Sequence, residues 1–159
     1  MKKLLLFSSL LFFSSPLWAQ GELIISSEKQ TIDYEKRLFI YSGKVKATWK
    51  DLLLEAQELR VYLDEKNVPQ KVVAKGKVKI SQKKEKRYAS CELAVYTSKD
   101  SKVTLEGNPH YWDGMGNDLV ATRLIIWLKR GLVEAEGKPV KGVYYFKEGK
   151  SGPESGKSE

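Results

Sequence analysis

Residues 72–80 alternate with period two. Val72, Ala74, Gly76, Val78 and Ile80 share one side and Lys75, Lys77 and Lys79 the other. That pattern marks a β-strand with one face in a core and one in water. The frame recurs at fixed intervals. Gly43, Gly76, Gly107 and Gly137 are separated by 33, 31 and 30 residues. They sit in Phe39-x-Tyr41-x-Gly43-x-Val45, Val72-x-Ala74-x-Gly76-x-Val78, Val103-x-Leu105-x-Gly107-x-Pro109 and Val133-x-Ala135-x-Gly137-x-Pro139. An aromatic and a polar turn precede each frame, from Tyr34, Tyr62, Tyr96 and Trp127. An alanine follows the first three glycines: Ala56, Ala89 and Ala121. No stretch of similar length has a convincing helical period. Leu52–Leu63 comes nearest, with Leu52, Glu55, Ala56 and Leu59 at helical spacing, but Leu59, Val61 and Leu63 alternate again and its second half reads as strand.

Each unit is thus two strands with a polar connection and a turn back. One unit cannot bury its own apolar face, so successive units must stack. The expected class is all-β: a sandwich, a jelly roll or a solenoid-like barrel. The frame glycines fall on the inward face by simple alternation. They either leave room for a neighbour or ligand chain, or relieve a sharp bend.

The first residues are not part of that domain. Lys2 and Lys3, an apolar stretch from Leu4 to Phe13, Pro16 and then Leu17-Trp18-Ala19 have the layout of an export signal cleaved after Ala19. Ten apolar-dominated positions fall short of the roughly 20 a membrane span needs. No Cys sits at the cleavage point, which excludes a lipoprotein anchor, and no second long apolar run follows. The division is therefore a signal over 1–19, a β domain over 20–146 and a disordered tail over 147–159, which is rich in Gly, Ser and Lys and has no aliphatic or aromatic side chain. Removing the signal lowers the net charge from +8 to +6. Exported, that charge meets anionic lipid or glycolipid phosphate, or serves solubility, and nucleic acid is disfavoured as a partner. The single Cys91 has no disulfide partner and reads as a structural thiol.

The recurring Gly frame, the Ala-initiated strand ending in an aromatic, and the signal together resemble the LptA/OstA family of lipopolysaccharide-export proteins. The clearest strings are Ile40-Tyr41-Ser42-Gly43-Lys44-Val45, Val73-Ala74-Lys75-Gly76-Lys77-Val78 and Leu105-Glu106-Gly107-Asn108-Pro109, and the resemblance covers residues 23–146. It implies an open, twisted antiparallel β-jelly roll of about four repeated strand pairs. It further implies a periplasmic carrier that binds the lipid A part of lipopolysaccharide in an apolar groove. Such protomers stack head to tail and bridge inner- and outer-membrane export proteins. The cleavable signal and the stop at residue 159 favour a free periplasmic member over an anchored or barrel-fused one.

The candidate groove residues are Phe39, Tyr41, Val45, Val72, Ala74, Val78, Ile80, Val103, Leu105, Tyr111, Val133 and Ala135. The alternative is a structural β scaffold of the envelope, in which these residues fill a closed core and the edge strands bind proteins. Residues 23–25 and 140–146 read as such edges, open to strand addition. Lys83, Lys84, Lys86 and Arg87 crowd an expected hairpin tip, either contacting phosphate as point charges or staying solvated.

Enzymatic readings are poor. His110 is the only histidine, which disfavours a zinc site, and no nucleophile-elbow motif accompanies it. Glu134 and Glu136 share the polar face of one strand rather than facing each other across a cleft. The loop from Asp113 to Asp118 lacks the spacing of a calcium loop and reads as a hairpin connection. Neither a metal nor a cofactor is expected.

Overall fold

In the computed structural model, residues 22–145 are described, and they form twelve β-strands in one antiparallel sheet. The expected signal over 1–19, Phe146 and the tail over 147–159 lie outside the described residues. The strands are β1 (Leu23–Ser26), β2 (Lys29–Asp33), β3 (Leu38–Trp49), β4 (Leu52–Leu63), β5 (Pro69–Gln82) and β6 (Arg87–Thr97). They continue as β7 (Lys102–Glu106), β8 (His110–Trp112), β9 (Asp118–Val120), β10 (Arg123–Trp127), β11 (Leu132–Glu136) and β12 (Lys141–Val143). Several short strands are halves of one long row. Both β1 and β2 lie along β3, β7 and β8 along β6, β10 and β9 along those two, and β11 and β12 along these in turn. The result is an eight-row meander, open at both ends.

Every row bulges, slips or breaks near its middle, and these points align into a crease. Ser42 pairs with Glu58 and Val45 with Ala56, so Gly43 and Lys44 together oppose Gln57. The same slip places Gly76 and Lys77 opposite Glu92. Gly43, Gly76 and Gly107 have φ of 79°, 79° and 77°, and the residues after them, Lys44, Lys77 and Asn108, have φ of 46°, 46° and 51°. Two successive left-handed residues make a bulge that bends its strand sharply. The Glu28 and Glu92 amides donate to the Gly43 and Gly107 carbonyls at 2.9 and 3.1 Å, so pairing resumes across the bend. The glycines therefore serve the bend and leave no room inside. A Cβ on Gly43, Gly76 or Gly107 would lie 2.8, 2.9 or 2.5 Å from the Cβ of Glu28, Gln57 or Glu92, all exposed residues of the outer face. Gly137 departs from the pattern: its φ is not left-handed, and its row turns instead at a cis Lys138–Pro139 bond beside Thr122.

The crease sets which residues point inward. In rows carrying the Gly bulge, inward positions jump by four, from Tyr41 to Val45, Ala74 to Val78 and Leu105 to Pro109. In the rows between, they jump by three, from Ala56 to Leu59, Cys91 to Ala94 and Ala121 to Leu124. That three-residue step is why Leu52–Leu63 mimics a helix: it is one unbroken strand whose inward phase slips at Gln57 and Glu58. It also corrects the alanine repeat, since Cys91 rather than Ala89 takes the place of Ala56 and Ala121. Burial pushes the Cys91 thiol up to about 11. Below about pH 9 the thiol stays protonated and poorly nucleophilic. The turns lie on two rims. Hairpins at 34–37, 64–68, 98–101 and 128–131 share one rim, tied by Leu63 N–H to Arg37 O, Ser98 N–H to Gln70 O and Leu128 N–H to Ser101 O. The other rim carries the turns at 50–51, 83–86 and 113–117.

Gly107→Ala should cost about 1–3 kcal/mol in urea unfolding, from left-handed strain and the Glu92 clash. Gly131→Ala, with equal handedness (φ 61°) but nothing within 4 Å, should cost less. Iodoacetamide at pH 8 should label Cys91 at least tenfold more slowly in the native than in the urea-unfolded chain; equal rates would contradict its burial.

Candidate functional site: an apolar trough between two walls

Folding the sheet along the crease turns its halves into facing walls. Leu59, Val61, Val72, Ala74, Ala94, Tyr96, Val103 and Ile126 of one wall face Ala47, Trp49, Leu52, Leu54, Ile80, Ala89 and Tyr111 of the other across a trough of about 620 Å³. Burial grades from crease to rim. Val45, Ala74, Val78, Leu105 and Leu124 are at most 2% exposed. Leu52, Leu54, Tyr96 and Tyr111 are half-buried, and Trp49 and Leu128 at the rims are 47% and 56% exposed. The floor is thus a packed core, and the walls above it carry apolar surface that the described residues leave uncovered. Polar groups among the lining residues, Gln82 and Arg87, sit at the end of β5 and the start of β6 beside one rim. A second hollow of about 570 Å³ adjoins the trough through Leu23, Ile25, Val61 and Pro69, and adds Gln30, Tyr34, Arg37 and Asn67 to Phe39 and Tyr41. Burial raises the Tyr41 and Tyr111 phenols above their usual range, so both stay neutral through physiological pH.

The sequence-read set divides by depth. Val72, Ala74, Ile80, Val103 and Tyr111 line the trough, while Phe39 and Tyr41 line the adjoining hollow. Val45, Val78 and Leu105 lie beneath as core. Ala135 packs against that core from β11, and Val133 is half-buried on the same outer strand; neither lines the trough. Lys83, Lys84 and Lys86 are exposed in the β5–β6 turn, and only Arg87 of that cluster borders the trough, paired with Glu85 at 2.6 Å. Leu52, Leu54, Leu59, Val61, Ala94, Tyr96 and Ile126 were missed. The signal that finds them is the three-residue step of the intervening rows. His110 sits on the outer face of β8, its Nε2 in contact with Asp118 Oδ1 across β9. Asp113 accepts the Met115 and Asn117 amides, which closes the 113–117 turn as a hairpin connection. Among the described residues, no group of three His, Cys, Asp or Glu is placed to hold a metal.

The model of the family described as LptA/(LptD N-terminal domain) LPS transport protein matches residues 24–131. The chain belongs to this family. Its fold is that of the family's β-jelly roll. The crystal structure of LptH, "the LptA homologous periplasmic component of the conserved lipopolysaccharide transport device from Pseudomonas aeruginosa", superposes with a TM-score of 0.72 at 16% identity, covering 79% of this chain and 96% of that one. No curated protein matches the sequence. Within the LptA/LptD N-terminal fold, the walls should tolerate truncation that the floor does not. Leu105→Ala and Leu124→Ala should each cost about 2–5 kcal/mol by urea unfolding, and Leu52→Ala less than about 1.5, because its side chain is already part-solvated.

Proposed function

We propose that the chain is a non-enzymatic periplasmic carrier that takes the acyl chains of lipid A, the anchor of lipopolysaccharide, between its two walls. The observation that carries this reading is the trough itself: an apolar channel lined from both walls, roofed by nothing among the described residues, with aromatic and aliphatic side chains left half-exposed. Each methylene moved from water into such a channel contributes about 0.8 kcal/mol, so a chain of a dozen carbons supplies ample driving force. The family's description as an LPS transport protein supports the choice of lipid. The periplasmic description of LptH supports the compartment, together with the export signal over 1–19. Arg87 at the trough mouth, with Lys83, Lys84 and Lys86 beyond it, is suited to the lipid A phosphates.

The edges support a bridging role. Among the described residues, strands β1 and β2 at one end, and β11 and β12 at the other, each pair with a neighbour on one side only. Unlike edges at opposite ends permit head-to-tail stacking, a heterologous contact that builds a filament rather than a closed dimer. A stack of this kind continues the trough from inner- to outer-membrane export proteins. The domain over 20–146 does this work. A filled-core scaffold is the weaker reading, because its interior would leave no channel between the walls.

A photo-crosslinking side chain placed at Leu54 or Tyr96 should give a lipopolysaccharide adduct in cells. One at Lys75, on the outer face, should not. Equal adduct from all three positions would sink the carrier reading, and mass spectrometry of the purified protein should show co-purified lipopolysaccharide.

A further inference from the structure

The wall built by β4, β5, β6, β7 and β10 has a second feature, on the face turned away from the trough. Side chains alternate across a strand. With Val72, Tyr96, Val103 and Ile126 facing inward, their chain neighbours Lys71, Thr97, Lys102 and Trp127 face outward. The register sets these four opposite one another on adjacent strands: Lys71 against Thr97, Thr97 against Lys102, Lys102 against Trp127. They form a single row across four strands. Both lysine head groups rest over aromatic rings, Lys71 Nζ 5.8 Å from the Tyr62 centroid and Lys102 Nζ 5.3 Å from that of Trp127. The Arg130 guanidinium lies 5.3 Å from the same Trp127 ring.

Three cations therefore gather on two rings. Among the described residues none of them has a carboxylate within ion-pair distance, neither Asp100 in the adjoining hairpin nor Glu134 on β11. Elsewhere on the outer face Lys44, Lys46, Arg60 and Arg123 are each paired with a glutamate. Lys75, Lys77 and Lys79 have no ion pair among the described residues but also no ring beneath them, so what sets this row apart is its rings and its buried donors. The row also holds two buried donors that lack an acceptor, the Thr97 hydroxyl and the Trp127 indole N–H. Among the described residues, these are the buried side-chain polar atoms in that condition. Lysine, arginine and indole can only donate. A buried donor without a partner is unfavourable, and uncompensated positive charge beside it adds to the demand for an anion. Cation–π contact holds the lysines in place without neutralising them.

We propose that this outward row is a binding site for a phosphate-type oxyanion, with Lys71, Lys102 and Arg130 supplying charge and Thr97 and Trp127 supplying neutral hydrogen bonds. The site lies on the opposite face from the trough and is independent of what the trough carries. Its anion comes either as free phosphate or on a lipid head group. Strand pairing fixes the spacing of Lys71, Thr97, Lys102 and Trp127, and Arg130 joins them from the adjoining turn, so the site recognises an anion by position as well as by charge.

The test follows the Trp127 indole N–H of the purified protein by nitrogen–proton correlation NMR, the signal being assigned by its loss in Trp127→Phe. One arm titrates sodium pyrophosphate at low ionic strength. The other adds phosphatidylglycerol vesicles, with phosphatidylcholine vesicles as control, and follows co-sedimentation. A saturable shift of the indole signal, weakened about tenfold by Lys102→Met and roughly threefold by the near-isosteric Thr97→Val, is the expected result. Lys79→Met, on the outer face of the other wall, should leave the affinity unchanged. Saturation with pyrophosphate alone identifies a soluble phosphate. Binding to phosphatidylglycerol but not phosphatidylcholine, lost in Lys102→Met, identifies a lipid head group. The absence of saturation in both arms overturns the proposal, as does equal weakening by Lys79→Met and Lys102→Met.

Discussion

The paired left-handed bulge at Gly43-Lys44, Gly76-Lys77 and Gly107-Asn108 is the constraint on which the rest of this architecture depends. Alternation is strict in a strand, so a one-residue slip sends every later side chain to the other face. The Gly rows advance by four where their neighbours advance by three, and both keep their apolar residues inside on either side of the bend. A flat sheet of the same sequence would bury one half and leave the other in water. The bulge needs glycine at its first position for a steric reason beyond handedness, because the outer side chains Glu28, Gln57 and Glu92 occupy the space a Cβ would take. Those polar residues thus act as backing for the bend.

The eight rows were legible because the bend is written as a repeat. Glycine at intervals of 33, 31 and 30 residues located the bulged rows, and the all-β class followed from period two. The intervening rows were harder to read. A three-residue step between Ala56 and Leu59 looks like a helical interval when no neighbour is known, and only pairing with β3 and β5 reveals it as a slip. The same step hid half of the trough lining and misaligned Ala89 with a position that Cys91 holds. Depth was not legible either. Val45 and Val72 follow the same alternation, yet one is core floor and the other trough wall, because depth depends on distance from the crease along the row.

The outer surface was also less uniform than alternation suggested. Around Lys75, Lys77 and Lys79 it is solvated and basic. Farther from the crease on the same wall, Ile40, Val73, Val95 and Ile125 also point outward and are half-buried, between the polar rows. Their β-branched side chains fit a pleated surface, and with Arg60 and Thr104 they form the row next to the cation and aromatic row on its crease side. Charge in that setting is less screened than at an open loop. The sequence pattern of lysines alone does not distinguish the two settings; register does.

The two walls are joined along the crease and nowhere else among the described backbone pairings, since each rim is stitched only to itself. The channel is in that sense a gutter rather than a pipe. A guest can leave over the lip at any point along its length, and lengthwise sliding breaks no strand pairing. For the acyl guest proposed above, confinement therefore rests on its aversion to water, not on a gate.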